Sequence, residues 1–287
     1  MPIGNVSDTA RWVAVYRAME TERPDAIFRD PFARRLAGEH GEEIVRSIRR
    51  GRSVAWSMIV RTAVFDELIL EAVQREKVDL VLNLAAGLDA RPWRLPLPPS
   101  LRWVDVDLPG ILQHKTDMMK DERPACRYEA IHADLTDATV RRALFARLGA
   151  ESARTIVVTE GLLIYLTPEQ VGALARDLSS QRSFRGWIID LASPRLLKMM
   201  QRWWGKSAQG GNAAFKFAPA EGTGFFATFG WREQRFLPSG DEAHRLHREM
   251  RGMWFWRLVA RLFSAKRQAE FRRMAGIVLL ERDAPAA

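Results

Sequence analysis

Carboxylates in this sequence fall where short apolar runs end, and their spacing suggests a nucleoside-bearing ligand. Asp107 closes the run Arg102–Asp107 (RWVDVD) and stands 20 residues after Gly87. Gly87 permits a tight turn and close approach of a ligand to backbone N–H groups. A carboxylate about 20 residues beyond such a turn is placed to hold a ribose diol. Asp134 follows a third run, where it can accept from an adenine amino group while Leu135 covers the ring face. The alternative is that Asp134 or Thr136 only caps the next helix. Glu160 ends a fourth run, TIVVT, and an acid there is costly unless paired; a bound ammonium group would pair it. The turn itself reads AAGLDAR, with one glycine and an acid, Asp89. A dinucleotide fingerprint carries three glycines around a pyrophosphate. Asp89 would repel a pyrophosphate and attract a sulfonium or an ammonium. S-adenosylmethionine is therefore expected over a nicotinamide dinucleotide.

The elements that must position these residues are strands alternating with helices. Apolar runs at Val78–Leu84, Arg102–Asp107, Arg127–His132, Thr155–Thr159 and Gly186–Leu191 are separated by helical stretches such as Ala138–Leu148 and Pro168–Ser179. That order predicts βαβ units and a parallel, doubly wound sheet whose ligands bind at the carboxyl ends of the strands. Two later strands, near Trp231–Leu237 and Ile277–Glu281, complete it, the last as an edge hairpin. The first ~75 residues carry only helical pattern: one helix capped by Ser7 or Asp8 and ended by Arg23-Pro24, another after Asp30-Pro31, and a third from about Ser53 to Gln74.

Composition bounds the remaining classes. With 47% hydrophobic and 28% charged residues in 287, the chain is globular and long enough to bury a full core. Its one cysteine, Cys126, excludes an internal disulfide and a cysteine-based zinc site, and no metal is expected. No secretory signal or membrane span is legible, so a cytoplasmic location is expected. The net charge of +9 is concentrated: residues 242–274 hold nine Lys/Arg against three Glu, and Arg46, Arg49, Arg50 and Arg52 form a second cluster. A base-methylating enzyme is not expected, because the fourth strand is followed by TEGLLIY instead of an Asp/Asn-Pro-Pro-aromatic stretch, and Cys126 lies away from the strand ends. Phe255, Leu258, Val259, Leu262 and Phe263, flanked by Arg248, Arg251, Arg257, Arg261 and Arg267, have the spacing of an interfacial amphipathic helix. Membrane contact through 248–267 is thus conceivable, but packing of that stripe on the protein is favoured.

The segments SDTARWVAVYRAMETERPDAIFRDPFA, RTAVFDELI, NLAAGLDARPWRL, VDVDLPGILQHK, ADLTD and TEGLLIYL occur in order over roughly residues 7–195. Together they resemble the leucine carboxyl methyltransferase family, and within it a bacterial branch of S-adenosylmethionine-dependent O-methyltransferases. The resemblance implies a class I methyltransferase fold: a Rossmann-like, seven-stranded, mostly parallel α/β sheet with a helical N-terminal cap and an aromatic-rich insertion. The pattern along the chain is read as one domain over 1–287, comprising the cap (1–75), a cofactor-binding core (76–193), a lid-like insertion (194–230) and C-terminal strands with a basic helix (231–287). The resemblance also implies that Arg61 clamps the methionyl carboxylate of S-adenosyl-L-methionine. Gly87 and Asp89 would then line the methionyl end, Asp107 and Leu108 the ribose side, Asp134 and Leu135 the adenine, and Glu160 the amino-acid end. Ala85 stands where many members have glycine.

The acceptor is the least legible part. Methyl transfer from a sulfonium is an in-line displacement, yielding S-adenosyl-L-homocysteine. A carboxylate acceptor needs no base, whereas a phenol benefits from one. His132, His244 and His247 are the histidines weighed for that role, each more readily read as a surface or packing residue. Residues 194–231 hold eight aromatics, among them Trp203 and Phe226, punctuated by Gly210-Gly211 and Gly222-Thr223-Gly224. Two readings stand: a lid over an apolar acceptor pocket, or a satellite core beneath an insertion. Arg17 and Tyr165 are further candidates for shaping that pocket or pairing an acceptor carboxylate. The expected partner is a small, apolar or aromatic molecule; a protein carboxylate, or donor binding without catalysis, is the alternative.

Overall fold

The computed structural model describes residues 6–47, 51–208, 214–250, 252–253, 259 and 262–283. Three helices come first: α1 (Val6–Thr21), α2 (Ala33–Ser47, kinked at Gly38) and α3 (Gly51–Arg75). The alternating stretch then gives β1 (Leu80–Leu84), α4 (Arg91–Arg94), β2 (Arg102–Asp107), α5 (Pro109–Met119), β3 (Arg127–His132), α6 (Ala138–Ala150), β4 (Thr155–Thr159), α7 (Pro168–Ser179) and β5 (Phe184–Ala192). The remainder is α8 (Pro194–Ala208), a 3-10 helix (Gly222–Phe229), β6 (Trp231–Pro238), α9 (Ser239–Arg245), α10 (Ala265–Arg272) and β7 (Ala275–Arg282).

The strands form one sheet in the order β3-β2-β1-β4-β5-β7-β6. The first five are parallel, and β7 runs antiparallel to both β5 and β6. Strand order reverses between β1 and β4, which opens a crevice at their carboxyl ends. The expected edge hairpin is corrected in one respect: β7 lies between β5 and β6, and β6 is the edge. The sequence explains why. Ile277–Leu280 is a continuous apolar run buried on both faces, whereas WREQRFLP exposes most of its first half, and charged residues suit an unpaired edge.

Three apolar clusters hold the layers. One joins the sheet to α6 and α7 through Phe145, Trp187 and Leu174. A second packs α3 on the opposite face through Phe65, Ile69 and Trp103. The third ties α1 and α2 to the start of α3, to Leu88 and to α5. The cap is thereby seated directly above the carboxyl end of β1. Among the described residues no helix is long and apolar enough to cross a membrane. Arg49, Arg50, Gly210, Gly211, Arg251, Phe255, Arg257, Leu258 and Arg261 lie outside the described residues, so most of the basic amphipathic stretch does too.

Candidate active site

The turn after β1 is built on two residues with left-handed backbone, Ala85 (φ 55°) and Gly87 (φ 52°). The Gly87 N–H donates to Asp107 Oδ2 at 2.6 Å, and the Leu108 N–H donates to Asp107 Oδ1 at 2.7 Å. The 20-residue spacing read from the sequence is thus a direct contact between the first and second strand ends. Burial raises the Asp107 carboxyl above its ordinary value despite these two N–H donors. A Cβ on Gly87 would stand 3.0 Å from the Ala10 Cβ of α1, so the cap closes directly on the turn.

Beneath the turn lies a network of buried charges. Arg91, 2% exposed, donates from Nε to Asp66 at 2.6 Å and from Nη1 to Asp89 at 2.7 Å, and pairs through Nη2 with Glu160 at 2.8 Å. Arg94 holds Asp66 with two further bonds of 2.7 Å. Asn83 bridges Asp89 to Asp105, whose other oxygen receives the fully buried Lys115 ammonium at 2.5 Å. The rim of the network is formed by Arg61, which reaches Glu160 Oε1 at 3.1 Å and Asp190 Oδ2 at 3.2 Å. Asp190 also accepts from the Gly161 N–H at 2.7 Å. Gly161 has φ 72°, and a Cβ there would meet Arg61 Nη1 at 3.0 Å, so glycine suits both the backbone and the arginine.

The electrostatics favour ionised carboxylates. Burial opposes ionisation of Asp89, yet Arg91, Lys115, Arg94 and Arg17 hold its carboxyl far below the usual range. Burial likewise opposes ionisation of Glu160, and Arg91 and Arg61 hold it below its ordinary value. Glu160 is thus already paired by two guanidiniums of the chain, so its burial does not itself require a bound ammonium. Counting Arg17, Arg61, Arg91, Arg94 and Lys115 against Asp30, Asp66, Asp89, Asp105, Asp107, Glu160 and Asp190 gives 5 − 7 = −2. A ligand with one carboxylate and two cationic centres complements that balance, and a pyrophosphate does not.

The other sequence-derived candidates divide clearly. Leu108 is 44% exposed beside Asp107, and Leu135 is half-buried at the end of β3. Asp134 Oδ1 accepts from the Thr136 N–H and hydroxyl, while Asp137 caps α6. Tyr165 sits in the 3-10 turn Leu163–Tyr165, with its ring 5.7 Å from Phe215. Burial raises its phenol above the ordinary value, partly offset by Thr9 and Arg61.

Two acceptor candidates are corrected. Arg17 is committed to Asp30 at 2.8 Å and to the Leu88 carbonyl at 2.5 Å, and is buried where it locks α1 to the turn. Phe226 is fully buried against Trp187, Phe217 and Phe225, so the 3-10 helix is part of the main core instead of a lid. Trp203 belongs to α8, with its side chain outside the described residues. The three histidines are exposed: His132 ends β3, His244 contacts Glu249 at 3.1 Å, and His247 lies in the turn after α9. Sequence reasoning missed Arg91 and Asp190. Asp190 carries the signal that flagged Glu160, an acid inside an apolar run (GWIIDL).

This arrangement agrees with comparison to known proteins. Residues 10–179 match the model of the leucine carboxyl methyltransferase family. A candidate S-adenosyl-L-methionine-dependent methyltransferase of Streptomyces avermitilis is 32% identical over 238 residues, covering 78% of this chain and 82% of its own. A similarly described protein of Frankia alni is 31% identical over 245 residues, covering 79% and 83%. In fold, the chain resembles a crystal structure described as a methyltransferase from Thermobifida fusca, with a TM-score of 0.57 at 14% identity over 99% of this chain and 97% of that one. The sheet is that of the class I methyltransferases, and the family match spans most of the cap, the glycine turn and the ends of β1 to β4, leaving Asp190 of β5 beyond it. The chain belongs to the leucine carboxyl methyltransferase family.

Proposed function

We propose that this methyltransferase transfers the methyl group of S-adenosyl-L-methionine to an oxygen of a small apolar or aromatic acceptor, with a carboxylate as the preferred nucleophile. The observation that carries the donor half is the Gly87–Asp107 contact above a crevice of net negative charge. Asp107 has lone pairs left to accept from the ribose hydroxyls after its two backbone bonds, and Leu108 and Leu135 flank the adenine. Asp134 Oδ2, outside the Thr136 turn, is available to the adenine amino group. Arg61 keeps its Nη2 donors for the methionyl carboxylate, while Glu160 and Asp190 face the cationic end. Bound in this way, the donor supplies an electrophilic methyl on a sulfonium.

The chain's own contribution is placement and exclusion of water. Holding two reactants in line supplies ~7–11 kcal/mol of barrier reduction in favourable systems. Tyr165 stays protonated at neutral pH and serves as a hydrogen-bond donor near Arg61 and Asp190, not as a base. The three histidines face solvent, which supports an acceptor that arrives already ionised. The half-buried side chains of Leu196, Leu197, Met199 and Met200 follow the carboxyl end of β5 and offer an apolar wall.

Calorimetric titration with S-adenosyl-L-homocysteine tests the donor half. The wild type should bind in the micromolar range, and Asp107→Ala should bind at least tenfold more weakly. Release of S-adenosyl-L-homocysteine across a panel of carboxylic acids and phenols then tests the acceptor. Turnover confined to phenols, with a rate that rises through a pKa near 7, would refute the carboxylate preference.

A further inference from the structure

At the amino-terminal edge of the sheet, opposite the crevice, lies an open cavity of about 360 Å3. The strand length separates the two, roughly 16 Å for five residues. The charged and polar residues lining the cavity are Arg154, Arg185 and Arg282 together with Gln234, Glu76 and Glu281.

Two irregularities of the sheet aim side chains into it. Between β4 and β5, Thr155 pairs with Phe184 and Ile156 with Gly186, so Arg185 is an extra residue without a partner. Between β6 and β7, Glu233 pairs with Leu280 and Arg235 with Leu279, which leaves Gln234 unpaired in the same way. Bulges re-aim side chains and are over-represented beside functional sites. Beside Arg185, a Cβ on Gly186 would come 2.5 Å from Ile156 Cδ1, so a larger residue there would have to push that side-chain tip aside.

The charges at this edge lack the carboxylate partners that the buried arginines hold. Arg17, Arg61, Arg91, Arg94, Arg102, Arg141 and Arg248 all hold carboxylates. Among the described residues Arg154, Arg182, Arg185 and Arg282 form no ion pair, and Arg282 donates only to the Ser179 carbonyl. Burial and then the charges of Arg185 and Arg182 hold the Arg282 guanidinium below its ordinary value, so these cations crowd one another. Of the two lining carboxylates, Glu281 is paired with Arg232 at 2.8 Å. Glu76 is the lining carboxylate with no ion pair among the described residues, and so the one that opposes an anion.

We propose that this cavity is a second binding site, independent of the methyl-transfer crevice, for a small polyphosphate gripped by Arg154, Arg185 and Arg282 with Gln234 as a neutral donor. Guanidiniums from β5, β7 and the loop before β4 match the multiple oxygens of a di- or triphosphate better than a single carboxylate. The volume lies at the low end of small-ligand pockets, ~300–1,000 Å3.

The test is calorimetry of the full chain with pyrophosphate, and with sulfate as the comparison, at about 150 mM salt to suppress loose ion association. Pyrophosphate should bind at least tenfold more tightly than sulfate. The double variant Arg154→Gln/Arg185→Gln should lose about tenfold or more of that affinity while S-adenosyl-L-homocysteine binding stays unchanged. Glu76→Gln should bind pyrophosphate more tightly, a gain that misfolding cannot mimic. Absence of binding to the wild type, equal affinity for both anions, or full retention in the double variant overturns the proposal.

Discussion

At the scale of single residues, the strained turn gives the sharpest expectations. Ala85 holds a left-handed backbone that costs an L-residue roughly 1–2 kcal/mol. Ala85→Gly removes that strain against a backbone-entropy penalty of about 0.4–1 kcal/mol, so the variant should be more stable by up to about 1.6 kcal/mol in urea unfolding. Gly161→Ala should do the reverse, since it adds strain at φ 72° and crowds Arg61. Its donor affinity should fall along with its melting temperature. Which residues the sequence disclosed follows from how each contact is made. Asp107 and Gly87 were legible because a strand–turn–helix–strand unit fixes their separation in the chain. Glu160 stood out because a charge ends an apolar run. Arg91 was hidden: its three carboxylates come from α3, the β1 turn and the end of β4, and no local pattern in RPWR says that the side chain turns inward.

At the scale of elements, Arg91 is the joint between α3, β1 and β4. Removing one partner from a buried ionic cluster leaves the others uncompensated, at about 3–5 kcal/mol. Arg91→Met should show that loss at pH 7 by denaturant titration. The pH dependence has a definite sign. Asp89 and Glu160 have folded pKa values below their ordinary ones, so their contribution is complete above about pH 4 and disappears as pH falls through the lowered values. In Arg91→Met the same carboxylates are buried without that partner and gain from protonation. The stability gap between wild type and variant should therefore narrow steadily on acidification; a gap independent of pH would count against the electrostatic account. The strands themselves were readable from their apolar runs, but the place of β7 was not. Burial on both faces identifies an interior strand without naming its neighbours, and Phe226 shows the same limit, since an aromatic cluster looks alike in a lid and in a core.

At the scale of the whole molecule, the charge of +9 is partly an architectural device. Arg248 is buried and reaches back 228 positions to Glu20 at 2.8 Å, and it also contacts the Asp25 carbonyl. The cap is thus fastened from below by Arg17 on the β1 turn and from the side by a segment that follows α9. Arg248→Ala should cost about 3–5 kcal/mol and raise hydrogen-exchange rates in α1 more than in β1 or β4. The uncompensated arginines at the opposite edge carry an opposite expectation: Arg185→Gln should melt at a higher temperature than wild type when no anion is present, because it relieves repulsion around Arg282. The Arg248–Glu20 clasp also bears on how the protein is made. Chains emerge from the ribosome amino end first at about 5–20 residues per second, so α1 is synthesised well before the residue that secures it. For more than ten seconds the nascent cap has no clasp, and a ribosome stalled before codon 248 would display an unfastened first helix for quality control to find.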